Sequence, residues 1–340
     1  MSYKKKLIII NKEKIFKRNN SFFCDNIDMK TIPEELNKIY NVEFIGANSK
    51  IERSYEINME NIKLTSNTLN IISNIFKTFK YKEAKYLLIS ITPYTFFSYI
   101  FLRLFRKKIF IYLRSNGYEE YKSILGFLGP IIYHFMFSVV TSKSKIISCQ
   151  ERLVKKKLNY SLVFPSELNS LWFEANKKEP PLDKPRILYV GRIKVEKGIF
   201  SLINIFKNLK YNSTLSIAGK DEDKKIKNSD IKLLGFKKDA ASLIEAYDNH
   251  NITILPSFTE AHPKVVDESL ARIRPVIIFE EIKHIIQNRY GIFISKRNVD
   301  SLEKTLKFVM QNYKDIQEKM KKNNLPKKES FISELVKILN

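Results

Sequence analysis

Short apolar runs alternate with helical patterns along the whole chain. The runs are rich in Ile, Leu and Val without strict polar alternation, which is typical of strands covered by helices on both faces. They lie at 7–10, 42–45, 86–92, 109–113, 145–148 and 161–164, and again at 186–190, 214–218, 231–234, 252–255, 275–279 and 291–294. Strand–helix–strand repetition predicts parallel, doubly wound sheets, so we expect an α/β fold.

A polar segment divides these runs into two sets. Residues 174–185 include Pro180, Pro181 and Pro185 and few apolar side chains, and the length of 340 residues suits two ordinary domains. We therefore predict two Rossmann-like domains facing a central cleft. The predicted bounds are 1–170 for an N-terminal domain, 171–185 for a linker, 186–312 for a C-terminal domain, and 313–340 for a helical segment that packs back on the N-terminal domain.

The chain is strongly basic, with 60 Lys and Arg against 36 Asp and Glu and a net charge of +24. This excess is compatible with nucleic acid, an anionic membrane surface or small phosphorylated substrates. Basic runs at 103–108 and 152–157 follow the uncharged stretches 86–102 and 123–142. Pro93 and the Gly129-Pro130 pair interrupt those stretches, so a buried helix or a surface patch is expected rather than a membrane span.

Compartment and metal signals are few. The apolar run at 7–10 is shorter than a signal peptide requires. Cys24 and Cys149 are the only cysteines, which cannot build a disulfide framework and show no zinc-ligand spacing. We expect a cytoplasmic protein without a metal site. Peripheral attachment to the inner face of the cytoplasmic membrane, through basic patches of the N-terminal domain, is the membrane hypothesis that the sequence leaves open.

A cation-rich loop follows the first strand of the second domain. Gly191 ends the strand at 186–190 and permits close approach to the backbone; Arg192 and Lys197 follow before a helix opens near Gly198. A helix N-terminus beside fixed cations favours an anion such as a diphosphate. On spacing alone, an ordinary solvated loop explains these residues equally well.

A second polar segment follows the strand at 252–255 and leads into another helix. Glu260 lies in the loop, and Glu268 comes eight residues later. With the helix starting near Pro263, Glu268 is predicted to face inward from the second turn. Carboxylates there can accept hydrogen bonds from vicinal sugar hydroxyls, and free loop amides can meet phosphate.

Together the two segments resemble retaining glycosyltransferases of the GT-B fold, GT4-like (glycosyl transferases group 1). The resemblance rests on a Gly-Arg…Glu-Lys-Gly loop followed by a Glu-x7-Glu segment, and it covers residues 186–310, including Gly219 and Gly235. The first half is similar only in its strand–helix rhythm. The resemblance implies transfer of a sugar from a nucleotide-diphosphate donor with retention, without a metal or other cofactor.

Motif position assigns roles within this resemblance. Arg192 and Lys197 resemble the residues that hold the donor diphosphate, Glu268 the residue that bonds the ribose hydroxyls, and Glu260 the residue that touches the transferred sugar. The catalytic candidates are therefore Glu260, Arg192 and Lys197. The donor-binding candidates are Gly191, Arg192, Lys197, Glu260, His262, Pro263, Lys264 and Glu268.

Two positions depart from the family pattern. Ala261 follows the first glutamate where the family has glycine, and Ile273 replaces a glycine that precedes a basic residue and a Pro-Val-Ile strand. Ala261 is tolerable unless its φ must be positive. At Ile273 a left-handed backbone is costly, because the residue is β-branched.

The acceptor side is less defined. Arg114, Asn116 and Glu119 follow the fourth strand and should border the ligand edge of the first sheet, although helix capping explains Asn116 equally well. We expect a saccharide or lipid-linked saccharide acceptor, in bacterial-type surface polysaccharide or lipopolysaccharide assembly.

Two other functions stay open on sequence. One is a nucleotide-sugar epimerase or hydrolase on the same scaffold, for which no acid–base pair is evident. The other is a non-catalytic binder of nucleic acid or sugar nucleotides. A nucleic-acid partner is not expected, because the basic residues are spread along the chain rather than interleaved with aromatics in a groove.

Overall fold

The computed structural model describes residues 4–154, 159–174, 179–220, 226 and 231–340, and the chain forms two compact units. The first unit contains Met1–Pro165 and Glu329–Asn340, and the second contains Ser166–Lys328. The basic run predicted at 152–157 continues beyond the described residues after Val154.

The division differs from the predicted bounds at both ends of the second unit. Ser166–Phe173 lie in the second unit, whereas residues 166–170 were predicted in the N-terminal domain and 171–173 in the linker. The reason is that Trp172 is buried in the core of the second unit. The C-terminal segment is also split: its first helix, Tyr313–Met320, belongs to the second unit, whereas Glu329 onward belongs to the first.

The first unit is built on a sheet whose main part is parallel. Its elements are β1 (Lys6–Arg18), β2 (Ser21–Cys24), α1 (Ile27–Asn37), β3 (Asn41–Asn48), β4 (Tyr55–Ile57), β5 (Ile62–Thr65), α2 (Thr68–Lys77), β6 (Lys85–Ile89), α3 (Pro93–Leu104), β7 (Lys108–Leu113), α4 (Gly117–Leu125), α5 (Leu128–Thr141), β8 (Lys145–Ser148) and β9 (Tyr160–Leu162). The parallel strands follow the order β5-β3-β1-β6-β7-β8-β9, and β2 and β4 add antiparallel to the far end of β1.

The β1–β2 hairpin and strands β4 and β5 were not predicted. The apolar run at 7–10 marks only the first part of β1, whose register shifts between Ile10 and Lys14 before the strand continues to Arg18. Six of the eight residues at 11–18 are polar and only Ile15 and Phe16 are apolar, so this part of β1 has no apolar run by which to recognise it.

The second unit is a six-stranded parallel sheet with helices between the strands. Its elements are α6 (Ser170–Phe173), β10 (Arg186–Val190), α7 (Ile199–Lys207), β11 (Thr214–Ala218), β12 (Ile231–Leu233), α8 (Ala240–Asp248), β13 (Ile252–Leu255), α9 (Lys264–Ala271), β14 (Val276–Phe279), β15 (Ile292–Ser295), α10 (Val299–Gln311) and α11 (Tyr313–Met320); α12 (Lys328–Leu339) leads back to the first unit. The spatial order is β12-β11-β10-β13-β14-β15, and all neighbours are parallel.

This order reverses direction between β10 and β13. In doubly wound sheets, ligands bind outside the carboxyl ends of the strands at such a switch point. Ile187, Leu188 and Ile254 are fully buried, as expected for strands covered on both faces. The predicted fold class, two α/β units with doubly wound parallel sheets, is therefore confirmed. The switch point of the second unit lies where both candidate motifs begin.

Candidate active site

The first motif forms a tight loop between β10 and α7. Gly191 has a φ of 154° and Gly198 a left-handed φ of 67°, with a single 3-10 turn at Val195–Lys197 between them. The Tyr189 hydroxyl donates to the Arg192 carbonyl at 2.7 Å, which fixes the loop to the strand that precedes it. The Arg192 side chain is exposed to solvent.

Gly198 brings this loop against the second motif. A Cβ at Gly198 would lie 1.8 Å from the Pro256 carbonyl oxygen, so only glycine allows this approach. The Phe258 amide donates to the Glu196 carbonyl at 3.1 Å, which ties the two loops together through their backbones. The loop after β10 and the loop after β13 therefore pack directly against each other.

Glu260 is the centre of the contacts between the loops. Its Oε1 atom lies 2.5 Å from Lys197 Nζ and accepts a hydrogen bond from the Ser257 hydroxyl at 2.7 Å. His284 Nε2 lies 2.8 Å from the Glu260 carbonyl oxygen. The ion pair is partly buried, with 22% of the Lys197 side chain and 12% of the Glu260 side chain exposed, so screening by water is reduced.

Helix α9 begins where the second motif predicts. Pro263 is its N-cap residue with an extended conformation, and Lys264 is the first helical residue. Lys264 Nζ lies 3.0 Å from Glu167 Oε1. His262 Nε2 lies 2.9 Å from Asp267 Oδ2, and Asp267 also pairs with Arg289. This part of the loop is thus fixed by side chains on its own helix and on the segment after β14.

Glu268 faces the interior from the second turn of α9, as predicted. It is buried, and the Tyr247 hydroxyl donates to its Oε2 atom at 2.9 Å. Burial raises the pKa of Glu268 to about 7, an effect only partly offset by the Tyr247 hydrogen bond and the nearby Lys264 cation. A further hydroxyl donor would therefore stabilise the ionised form of the Glu268 carboxyl group.

The end of α9 explains how Ile273 replaces a glycine. The Ile273 amide donates to the Leu270 carbonyl and the Arg274 amide to the Ser269 carbonyl, which is the Schellman pattern, and Ile273 has a left-handed φ of 55°. The expected strain is therefore present rather than avoided. No positive φ occurs at Ala261, so alanine is acceptable there.

Two arginines flank Ile273 and fasten this turn. Arg272 donates to both carboxylate oxygens of Asp248, at 2.9 and 2.7 Å, and Arg274 donates to the Tyr247 carbonyl at 3.2 Å. All three charged side chains are largely buried. Because Tyr247 also binds Glu268, the turn and the buried carboxylate belong to one packed network.

The acceptor candidates lie in the first unit. Arg114 forms a buried ion pair with Asp28. Asn116 is the N-cap residue of α4 but makes no side-chain capping bond. Glu119 Oε1 lies 3.5 Å from Arg152 Nη2 at the surface. The Arg114 side chain is thus held inside its unit by the ion pair with Asp28, whereas the side chains of Asn116 and Glu119 are partly exposed to solvent.

Sequence reasoning missed the residues that support the motif side chains. Ser257, His284, Tyr247, Asp267 and Arg289 contact Glu260, His262 or Glu268, directly or through one partner. Ser257 could have been found from its place directly after β13. Asp267 lies on α9 itself, five residues after His262. Tyr247, His284 and Arg289 come from distant segments and were recognisable only once the fold was known.

Within the described ranges, no group of three or more His, Cys, Asp or Glu side chains could hold a metal ion. In the same ranges, no helix is both long and apolar enough to cross a bilayer.

Two units with doubly wound parallel sheets, the second with a paired polar loop at its switch point, are the arrangement of the GT-B fold. Residues 172–325 match the family model of the glycosyl transferases group 1. The match confirms the predicted resemblance to the glycosyl transferases group 1 over the residues that carry both motifs.

Solved structures match nearly the whole chain. Three of them are HepE of Anabaena in complex with UDP-glucose (10% identity, TM-score 0.71, covering 98% of this chain and 99% of that one), sucrose-phosphate synthase from Thermosynechococcus elongatus (12%, 0.70, 98% and 98%) and WaaG, a glycosyltransferase involved in lipopolysaccharide biosynthesis (12%, 0.67, 98% and 99%). At these identities the similarity is one of fold. A search of curated protein sequences finds no significant match.

Proposed function

We propose that the protein transfers a sugar, with retention, from a nucleotide-diphosphate sugar to a saccharide or lipid-linked saccharide acceptor. The observation that carries this proposal is the junction at the switch point, where Lys197 from the loop after β10 pairs with Glu260 from the loop after β13. We place the enzyme among GT4-like transferases, in the cytoplasm, in the assembly of surface polysaccharide or lipopolysaccharide. HepE, on the same fold, is known with UDP-glucose bound.

Donor binding is assigned to charges that suit a diphosphate. Arg192 and Lys197 supply cations, and the N-terminus of α7 adds free amides and the positive end of the helix dipole. One charge-assisted hydrogen bond of this kind contributes about 1.5–3 kcal/mol. These groups stabilise the negative charge that develops on the leaving nucleoside diphosphate, so the reaction requires no metal.

The two glutamates bind the two sugars of the donor, the ribose and the transferred sugar. Glu268, buried beside Tyr247, accepts hydrogen bonds from the ribose hydroxyls. Glu260 contacts the transferred sugar from a position fixed by Lys197, Ser257 and His284. Retention follows if the acceptor hydroxyl attacks from the face that the diphosphate leaves. The leaving phosphate then accepts the hydroxyl proton, so no separate general base is needed.

Calorimetry with nucleoside diphosphates and nucleotide sugars tests the donor site. The wild-type chain should bind one nucleotide class, and Arg192→Ala and Glu268→Ala should each weaken that binding about tenfold or more. Lys194→Ala is the matched control, because Lys194 is exposed in the same loop and should leave affinity unchanged. Absence of nucleotide binding in the wild type, or equal affinity in all variants, would refute the donor assignment.

Turnover distinguishes the reaction types. A transferase should consume the nucleotide sugar rapidly only when an acceptor is present, and chelation of divalent metal should not change the rate. Fast consumption without acceptor would identify a hydrolase, and interconversion of sugar epimers would identify an epimerase. Bound nucleotide with no turnover in an acceptor screen would favour a non-catalytic binder.

A further inference from the structure

One side of the first unit is a continuous layer of helices. Helices α2, α3 and α5 bury Ile75, Leu102 and Phe137, respectively, in a single apolar cluster against the sheet. Their outer parts also touch, since the Phe96 and Phe135 rings are 5.8 Å apart. The outward sides of α2, α3 and α5, together with the α4–α5 turn, therefore form one surface, which we call the helical face.

The helical face exposes large apolar side chains along its whole length. Phe127 at the α4–α5 turn is 79% exposed, Ile131 and Phe135 on α5 are both 63% exposed, and Leu104 at the end of α3 is 74% exposed. Monomeric soluble proteins rarely leave such a contiguous apolar surface uncovered, and where it occurs it marks a protein or membrane contact.

The charge around the helical face is strongly positive. Between positions 68 and 150 the chain has twelve Lys and Arg residues but only three acidic residues, Glu83, Glu119 and Glu120. Two copies of this face would therefore repel each other, whereas an anionic lipid surface would attract it. Each basic residue close to such a surface contributes roughly fivefold to the partition coefficient.

A basic cavity adjoins the aromatic end of the helical face. It has a volume of about 360 Å³ and is lined by six cations, Glu83 and Asn340; the cations are Lys5, Lys82, Lys85, Arg106, Lys107 and Lys108. Lys85 Nζ also donates to the carbonyl oxygens of Leu339 and Asn340, at 2.5 and 3.3 Å. Burial, followed by the neighbouring Lys108, Lys5 and Lys145 charges, lowers the pKa of Lys85. A phosphate group in this cavity would relieve the repulsion between these cations.

Aromatic side chains connect the cavity to the helical face. Lys107 Nζ lies 4.3 Å from the centre of the Phe79 ring, and Phe79 packs against Phe101 and Phe105 at 5.6 and 4.9 Å between ring centres. Phe105 is itself exposed. Cations that bind phosphate thus lie directly beside rings that suit the interfacial region of a bilayer.

We propose that the helical face binds an anionic lipid bilayer, with its exposed Phe, Ile and Leu side chains in the interfacial region and the basic cavity around a lipid phosphate. Helix α5 has 14 residues, too few to span a membrane, so the contact lies on the surface of the bilayer. The proposal concerns the first unit alone and is independent of the donor site in the second.

Vesicle co-sedimentation tests this surface. The full chain should bind vesicles of phosphatidylcholine and phosphatidylglycerol at a ratio of about 3:1 much more strongly than pure phosphatidylcholine vesicles, and added salt should weaken that binding. In the triple variant Leu104→Ser, Phe127→Ser, Ile131→Ser, the vesicle partition coefficient should fall at least tenfold. When Ser replaces Arg106, Lys107 and Lys108, the partition coefficient on the anionic vesicles should fall about a hundredfold.

The control is Ile51→Ser with Leu233→Ser, which removes two exposed apolar side chains outside the helical face and should leave partitioning unchanged. Nucleotide binding by every variant verifies that the second unit is intact and separates this test from that of the donor site. The proposal would be overturned if the wild-type protein did not bind anionic vesicles. It would also be overturned if the variant with serine at positions 104, 127 and 131 bound them as strongly as the wild type. A wild-type dimer that this variant converts to a monomer, without any vesicle binding, would overturn it as well.

Discussion

Ile273 offers a direct test of the backbone that the second unit requires. Its φ of 55° is left-handed, a conformation that costs a residue with a Cβ atom about 1–2 kcal/mol and costs glycine nothing comparable. Replacing Ile273 by Ala and, separately, by Gly removes the half-buried side chain in both variants. Comparison of the two variants therefore isolates the backbone term.

The expected difference has an unusual sign. At an ordinary helical position, glycine is less stable than alanine by about 0.5–1 kcal/mol, because its unfolded chain has more freedom. At Ile273 the relief of strain exceeds that loss, so Ile273→Gly should be more stable than Ile273→Ala by roughly 0.5–1 kcal/mol. Against the wild type, Ile273→Gly should be nearly neutral, since lost packing offsets the relieved strain.

Trp172 makes the measurement specific to the second unit. It is the only tryptophan in the chain and is buried beside Tyr247, with its backbone carbonyl bonded to Arg272. Urea unfolding followed by its fluorescence therefore reports the stability of this unit. The control is Ala241→Gly in right-handed helix α8, which should destabilise by about 0.5–1 kcal/mol. If Ile273→Gly is less stable than Ile273→Ala by a similar amount, the left-handed assignment is wrong.

Two further predictions concern Glu268 and Lys197. Because burial holds the pKa of Glu268 near 7 instead of 4.5, the folded chain binds the extra proton in this range. The free energy of unfolding should then fall by on the order of 3 kcal/mol as pH rises from about 4.5 to about 7. Urea titrations at several pH values should show this dependence in the wild type and not in Glu268→Gln. The same pH dependence in both proteins would contradict the buried position of Glu268. Lys197→Met should weaken the binding of nucleoside diphosphates about ten- to a hundredfold and the binding of the free nucleoside much less. Calorimetry measures both affinities, and Lys194→Met is the control. Equal losses of affinity for both ligands would place Lys197 away from the diphosphate.

The sequence predicted the elements that local pattern determines. The parallel strands of the second unit, the start of α9 near Pro263 and the inward position of Glu268 all follow from apolar runs, a helix-starting proline and a spacing of residues. These features depend on a few consecutive residues. The β1–β2 hairpin was missed because the second part of β1 is largely polar and β2 has only four residues, so neither gives an apolar run of ordinary strand length.

The partners of the candidate side chains were unpredictable for a related reason. His284 reaches Glu260 from the segment after β14, and Tyr247 reaches Glu268 from α8. No spacing in the sequence links these pairs, because the sheet order brings their elements together. A motif can therefore identify the residues that meet a ligand, while the residues that position them are known only from the fold.

Ile273 shows why a motif can lose a glycine while its geometry persists. A ligand-binding carboxylate has to be present as a chemical group, whereas a glycine at a helix end is needed only to permit a conformation. At Ile273 the surroundings enforce that conformation, through two Schellman hydrogen bonds and through Arg272 and Arg274 bound to Asp248 and Tyr247. Strained backbone persists where neighbouring contacts over-determine it. The departure from the family pattern at this position therefore affects stability rather than the chemistry of the donor site.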